Sequence, residues 1–162
     1  MVQSLLSAEI KILLEKALAS ELHVSNLYKH IANQLQRLGY FGAQSYFLKE
    51  SADELSHYQK LSDYCNDMGW VAPVPAVPKM SDKISNILDA LEISYEAELD
   101  LLNQYKKFYE EAEDKYDDCI TATFIIEFLQ IQRKSVGEYG DLIAKLNLNG
   151  DIYEFDEEMG KK

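Results

Sequence analysis

Glu54-Leu55-Ser56-His57 sets a carboxylate and an imidazole one helical turn apart, in a stretch whose other inward positions are mostly apolar. The stripe runs Phe47, Glu50, Glu54, His57, Leu61, Tyr64 and Met68, in steps of three and four that only an α-helix brings to one face. Three more stretches keep that spacing. They are Ile10, Leu14, Ala17, Glu21, Val24, Tyr28, Ile31, Leu35; then Ile84, Leu88, Leu91, Tyr95, Glu98, Leu102, Tyr105, Tyr109; then Ile125, Phe128, Gln132, Ser135, Tyr139, Leu142, Leu146. Each carries a polar interruption, Glu21, Glu98 or Gln132, near the midpoint of its helix, where Glu54 and His57 also sit. Midpoints of packed helices share one layer whichever way the neighbours run.

A buried, unpaired carboxylate costs several kcal/mol, and glutamates converging on one interior point repel each other or take up protons unless a cation holds them. A pair of divalent ions removes that conflict. One glutamate from each of two helices plus Glu-x-x-His from another is the inward arrangement of carboxylate-bridged di-metal bundles.

The composition excludes several other classes. With 28 acidic against 16 basic residues the net charge is −12, and no basic stripe exists to neutralise phosphates, so nucleic acid is not an expected partner. No apolar run approaches the roughly 20 residues of a membrane span. Met1-Val2-Gln3-Ser4 lacks the charged and apolar regions of a secretory signal, which makes a cytoplasmic protein the expectation. Cys65 and Cys119 are the two cysteines, without a Cys-x-x-Cys pair, and read as small packing residues.

The punctuation sets the topology. Ser7 can cap a first helix, and Arg37-Leu38-Gly39-Tyr40-Phe41-Gly42 closes it with a glycine turn short enough for an antiparallel hairpin. After Gly69, the prolines Pro73, Pro75 and Pro78 impose an extended strap, long enough to cross the bundle and leave helices two and three parallel. Ser81 with Asp82 begins the third helix, and Asp117 or Asp118 the fourth. The reading is a single all-α domain over 1–162: an antiparallel four-helix bundle with helices at about 7–37, 42–68, 81–113 and 117–147. A short amphipathic segment at 150–159 follows the Asn149-Gly150 break, with disorder expected at the very end.

Across essentially its whole length the chain resembles the non-haem bacterial ferritins. Ser20-Glu21 through Tyr28 is similar to the family's first-helix motif, a ligand glutamate followed by a tyrosine. Phe47-Leu48 through Asp53-Glu54-Leu55-Ser56-His57 resembles the second-helix motif, Tyr95-Glu96-Ala97-Glu98 the third, and Gln130-Ile131-Gln132 with Asp141 through Leu146 the fourth. The resemblance implies a ferritin-like fold and a ferroxidase centre. Glu21 and His57 would hold one iron, Glu54 would bridge, Glu98 would take the second iron with Gln132 beside it, and Tyr28 would hydrogen-bond a ligand carboxylate and donate an electron. It also implies two irons per subunit, dioxygen or hydrogen peroxide as oxidant, and a homo-oligomeric 24-mer shell that stores ferric mineral. Hard carboxylates with one imidazole suit iron, and the neutral Gln132 leaves the second ion weakly held.

The departures are as specific. The positions that match the family's third iron site are Asp53, Ile131, Lys134 and Ser135, so that site is expected to be missing. Leu55 stands where a bacterioferritin has its haem-ligating methionine, so no haem is expected. Glu50, one turn before Glu54, reads as a carboxylate near the ligands rather than a ligand. His23 and His30 fall off the core stripe and read as surface residues. At the start of helix four, Asp117, Asp118 and Thr121 occupy the region that lines acidic channels in ferritin shells. The competing readings are a rubrerythrin-like di-iron peroxidase, for which the rubredoxin-type cysteines are missing, and a non-catalytic bundle whose core polar residues only fix helix register.

Overall fold

The computed structural model describes residues 2–148 and 150–162; Met1 and Asn149, and with them part of the Asn149-Gly150 break, lie outside the described residues. Helix α1 spans Ala8–Leu38 and α2 spans Phe41–Asp67. Ser7 caps α1 by accepting from Ile10 N at 3.2 Å. Gly39 ends it at φ 90°, a left-handed conformation glycine adopts without strain, and Tyr40 N donates back to Leu35 O at 2.9 Å. The chain reverses there, and α2 returns along α1. Ser25 and Ser51 meet across that seam, each hydroxyl donating to the other's backbone carbonyl, at 2.7 and 2.8 Å.

The strap then travels the length of the bundle. At its start Leu5 N donates to Met68 O at 2.9 Å, beside the beginning of α1. At its end His30 Nε2 donates to Asp82 O at 2.8 Å and Ile84 N donates to Gln34 Oε1 at 3.1 Å, beside the end of α1. Helix α3, Ile87–Glu110, therefore starts where α2 started and runs parallel to it. The expected start near Ser81 is corrected by these same bonds: the backbone at 82 and 84 is spent on α1 side chains, and Asn86 caps α3 instead, accepting from Asp89 N at 2.8 Å.

Helix α3 runs into a π-helical turn at Glu111–Lys115, Asp117 turns the chain at φ 51°, and α4 follows over Cys119–Leu148. The Asp118 carboxylate accepts from Thr121 N at 3.0 Å and Thr121 Oγ1 at 2.7 Å. Helix α5, Ile152–Gly160, is capped by Asp151 and buries Phe155 and Met159. The disorder expected at the tail is thus corrected, because those two apolar side chains anchor the helix to the end of the bundle. The architecture is all-α, two antiparallel hairpins joined by one long crossover, with a short C-terminal helix.

Most stripe positions are core. Those of α1 are buried throughout, from Ile10 to Leu35. On α3 the buried face is rotated by about one position from the expected one. Ile87, Leu91, Ser94, Glu98, Leu101, Tyr105 and Phe108 are buried, while Leu88, Tyr95, Leu102 and Tyr109 lie at its edge. Leu91, Glu98 and Tyr105 belong to both sets because they lie where the two stripes cross. Cys65 packs inside as expected; Cys119 is exposed at the start of α4 and does not.

Candidate metal centre

Four helices deliver polar side chains to one interior layer. Glu21, Glu98 and Gln132 have no exposed surface, Glu54 keeps 3 %, and the His57 side chain is 14 % exposed. Glu21, Glu54 and His57 each offer a ligand atom, and these atoms all lie within 4.8 Å of one another. His57 Nδ1 is 3.4 Å from Glu54 Oε2 and 3.9 Å from Glu21 Oε2.

The other two residues form a second group beside the first. Glu98 accepts from the Tyr28 hydroxyl on one oxygen and from Gln132 Nε2 at 2.6 Å on the other. It is buried at the expected depth, but it stands outside the Glu21, Glu54 and His57 cluster with both oxygens engaged. Tyr105, not singled out from the sequence, donates to Glu21 Oε1. A signal was present: Glu21 precedes Tyr28 by seven residues on α1, and Glu98 precedes Tyr105 by seven on α3. The two helices run antiparallel, so the tyrosines cross over and each reaches the other helix's glutamate.

The electrostatics are those of a site waiting for positive charge. Glu21 Oε2, Glu54 Oε2, His57 Nδ1 and Gln132 Oε1 are buried without a hydrogen-bond partner. Burial, with the Glu54 charge behind it, holds the Glu21 carboxyl well above the usual carboxylate range. Burial, then Glu98, pushes Glu54 up to about 8. Burial also raises Glu98, opposed by the hydrogen bonds from Tyr28 and Gln132. Three buried carboxyls that resist ionisation, each with its charge compensated by no lysine or arginine among the described ion pairs, fit a divalent cation by donor type as well as by position.

Around this layer the other expected residues take their places. Glu50 is half-buried and accepts from Tyr139 at 3.4 Å; burial, then the Asp53 and Glu98 charges, pushes it up to about 7. Asp53 and Lys134 are exposed and Ile131 and Ser135 half-buried, with Lys134 paired to Glu138 at 3.7 Å. His23 is exposed, and His30 is half-buried on the strap.

The family model for the ferritin-like domain matches residues 12–149. The chain belongs to the ferritin family. Its relatives include a bacterial non-heme ferritin of Staphylococcus saprophyticus, 25% identical over 162 residues that cover 98% of this chain and 96% of the relative. A bacterial non-heme ferritin of Staphylococcus aureus is 26% identical over 147 residues, covering 88% and 87%. Among solved structures, the open-pore ferritin of Archaeoglobus fulgidus superposes with a TM-score of 0.92 at 22% identity, over 97% of this chain and 99% of that one, a likeness of fold. The ferritin four-helix bundle with its short fifth helix is therefore the fold of this chain. No helix of the described residues is long and apolar enough to cross a membrane.

Proposed function

We propose that this chain is the subunit of an iron-storage ferritin and that Glu21, Glu54, His57, Glu98 and Gln132 form its ferroxidase centre. The observation that supports this most directly is the set of orphaned atoms, Glu21 Oε2, Glu54 Oε2 and His57 Nδ1, gathered within 4.8 Å of one another in the core of a ferritin fold. Ferrous iron is the substrate and, once oxidised, the cargo. Glu21 and His57 take one ion, Glu54 lies between two, and Glu98 takes the second when the Gln132 amide yields its oxygen contact.

The chain's own groups handle the protons. The carboxyls of Glu21 and Glu54 hold protons in the empty site, and binding of cations displaces them. Tyr105 and Tyr28 orient one glutamate each, and Tyr28 stands close enough to Glu98 to give an electron. Gln132 brings an oxygen without charge, so the second ion is held more weakly than the first and can leave toward the store. Dioxygen or hydrogen peroxide accepts the electrons. The subunit works in a homo-oligomeric 24-mer shell in the cytoplasm, without haem, membrane or nucleic acid.

Stopped-flow oxidation of two ferrous ions per subunit tests the assignment. Glu54→Ala and His57→Ala each slow the first phase by about 100-fold or more while circular dichroism stays helical, because removing a ligand also relieves crowding in the empty site. An unchanged first phase in either variant sinks the centre.

A further inference from the structure

Three tyrosines stand ring to ring between the centre and the surface. Tyr28 and Tyr139 have centroids 6.0 Å apart, and Tyr139 and Tyr46 meet edge to face at 6.3 Å. Tyr28 and Tyr139 are buried, and Tyr46 keeps 7 % exposure where it lines an open groove of about 340 Å³ with Glu50, Glu138, Asp141, Lys145 and Lys162, the Lys145 ammonium being paired with Glu158. Hydroxyls matter here as much as rings. Tyr28 donates to Glu98 at the centre, and Tyr139 donates to Glu50 at 3.4 Å on the groove side.

Packing alone does not call for this. Phe47 touches Tyr28 at 5.6 Å and Tyr139 at 6.3 Å and fills the same cluster without a hydroxyl. Burying a phenol oxygen carries a desolvation cost that a phenylalanine avoids. What a phenol adds is one-electron chemistry, provided a base lies in hydrogen-bond reach to take its proton. Tyr139 has that base in Glu50.

We infer that Tyr139, with Glu50 as its proton acceptor and Tyr46 at the groove, relays single electrons from ferrous iron outside the centre to Tyr28. The relay rests on the ferroxidase reading and answers an imbalance within it. Reduction of dioxygen to two waters consumes four electrons and four protons, and two ferrous ions at the centre supply two of the electrons. The other two come one at a time from ferrous ions in solvent at the groove, each oxidised to ferric. Once Tyr28 has given an electron to the centre, its phenol proton passing along the hydrogen bond to Glu98, Tyr139 passes an electron inward; the Tyr28 proton slides back from Glu98 and the Tyr139 phenol proton moves to Glu50. An electron arriving through Tyr46 then reduces the Tyr139 phenoxyl, and the proton returns from Glu50. The protein ends unchanged, and the protons of water come from solvent. When hydrogen peroxide is the oxidant, two electrons suffice and the relay stays idle.

Freeze-quench electron paramagnetic resonance reads this directly. The whole protein is loaded anaerobically with two ferrous ions per subunit, mixed with oxygenated buffer, and followed with and without excess ferrous iron. The wild type shows a tyrosyl radical that excess ferrous iron quenches. Tyr139→Phe, which keeps the ring, prolongs the radical under excess iron by about tenfold, one decade of rate for a raised hopping barrier. Glu50→Gln, which removes only the proton acceptor, prolongs it as well. Tyr64→Phe, on a tyrosine stacked against Phe124 away from this line, leaves the lifetime unchanged. A wild-type lifetime in Tyr139→Phe, or equal prolongation in Tyr64→Phe, overturns the relay. Rapid oxidation with no tyrosyl radical also overturns the relay and spares the ferroxidase centre, whereas absence of rapid oxidation in the wild type removes both.

Discussion

The crossed pairs Glu21 with Tyr105 and Glu98 with Tyr28 show how much a residue owes to its partner helix. Each glutamate is an ionisable group placed in a core stripe, visible in the sequence as an anomaly, yet the tyrosine that holds it is supplied from another element. The burial of Glu54 has a measurable consequence at this scale. With its carboxyl at about 8 in the folded empty site, the native state keeps a proton that the unfolded chain releases in the ordinary glutamate range. That contribution to stability is present in full below the unfolded value and is lost as the pH rises through about 8. The metal-free protein should therefore melt at a lower temperature at about pH 8 than at about pH 5, by an amount that reflects a few kcal/mol, and Glu54→Gln should flatten the profile. A divalent cation added at the higher pH should restore the melting temperature, since it binds only the folded site. Calorimetry across that range checks all three, and a wild-type profile that rises with pH would contradict the burial argument.

At the scale of elements, α5 and α2 depend on each other in a way that propensity does not reveal. The residue before α2, Tyr40, makes no capping bond; the Asp156 carboxylate of α5 accepts from Gly42 N at 3.2 Å and Ala43 N at 2.8 Å in its place. The approach is close enough that a Cβ on Gly42 would lie 1.8 Å from the Asp156 carbonyl oxygen. Asp156→Ala should lower stability by about 1 kcal/mol, as for loss of an N-cap, measured by denaturant titration. Gly42→Ala should go further and undock α5, exposing Phe155 and Met159, which limited proteolysis at the C-terminus would detect. Equal protease resistance in both variants and wild type would show that the contact is dispensable. The start of α3 teaches the same lesson: Ser81 and Asp82 are good capping residues, but Gln34 and His30 of α1 claim the backbone there, and the helix waits until Asn86.

At the scale of the molecule, the bundle gathers buried carboxyls without a lysine or arginine partner among the described residues in one layer, at Glu21, Glu54 and Glu98. At the positions that the resemblance matches to a third iron site, this chain has Asp53, Ile131, Lys134 and Ser135, with one carboxylate among them, and the Lys134 ammonium pairs with Glu138 at 3.7 Å. Crystals soaked in ferrous iron without oxygen should therefore show two anomalous peaks, near Glu21, Glu54 and His57 and near Glu98, with the peak beside Gln132 the weaker. A strong third peak coordinated by Asp53 or Glu50 would overturn this. Gln132→Glu should strengthen the weaker peak and slow iron turnover, because a carboxylate offsets the desolvation of the ion that an amide leaves uncompensated.

The heptad-like spacing of apolar residues, the glycine turn at Gly39 and the proline strap determined four helices, their order and the one long crossover, because these are local properties of backbone and periodicity. Glu54 and His57 were legible for the same reason, as polar residues at fixed helical positions in an otherwise apolar face. What the tertiary structure alone decided is which atoms are left without partners. Glu98, which the resemblance makes the ligand of the second iron, has both oxygens engaged by Tyr28 and Gln132, whereas Glu21, Glu54 and His57 keep orphaned atoms facing one another. The line of Tyr28, Tyr139 and Tyr46 and the cap from Asp156 were also hidden. Each joins residues far apart in the chain, and hydrogen bonding between helices depends on rotation and register that a one-dimensional pattern fixes only to about one residue.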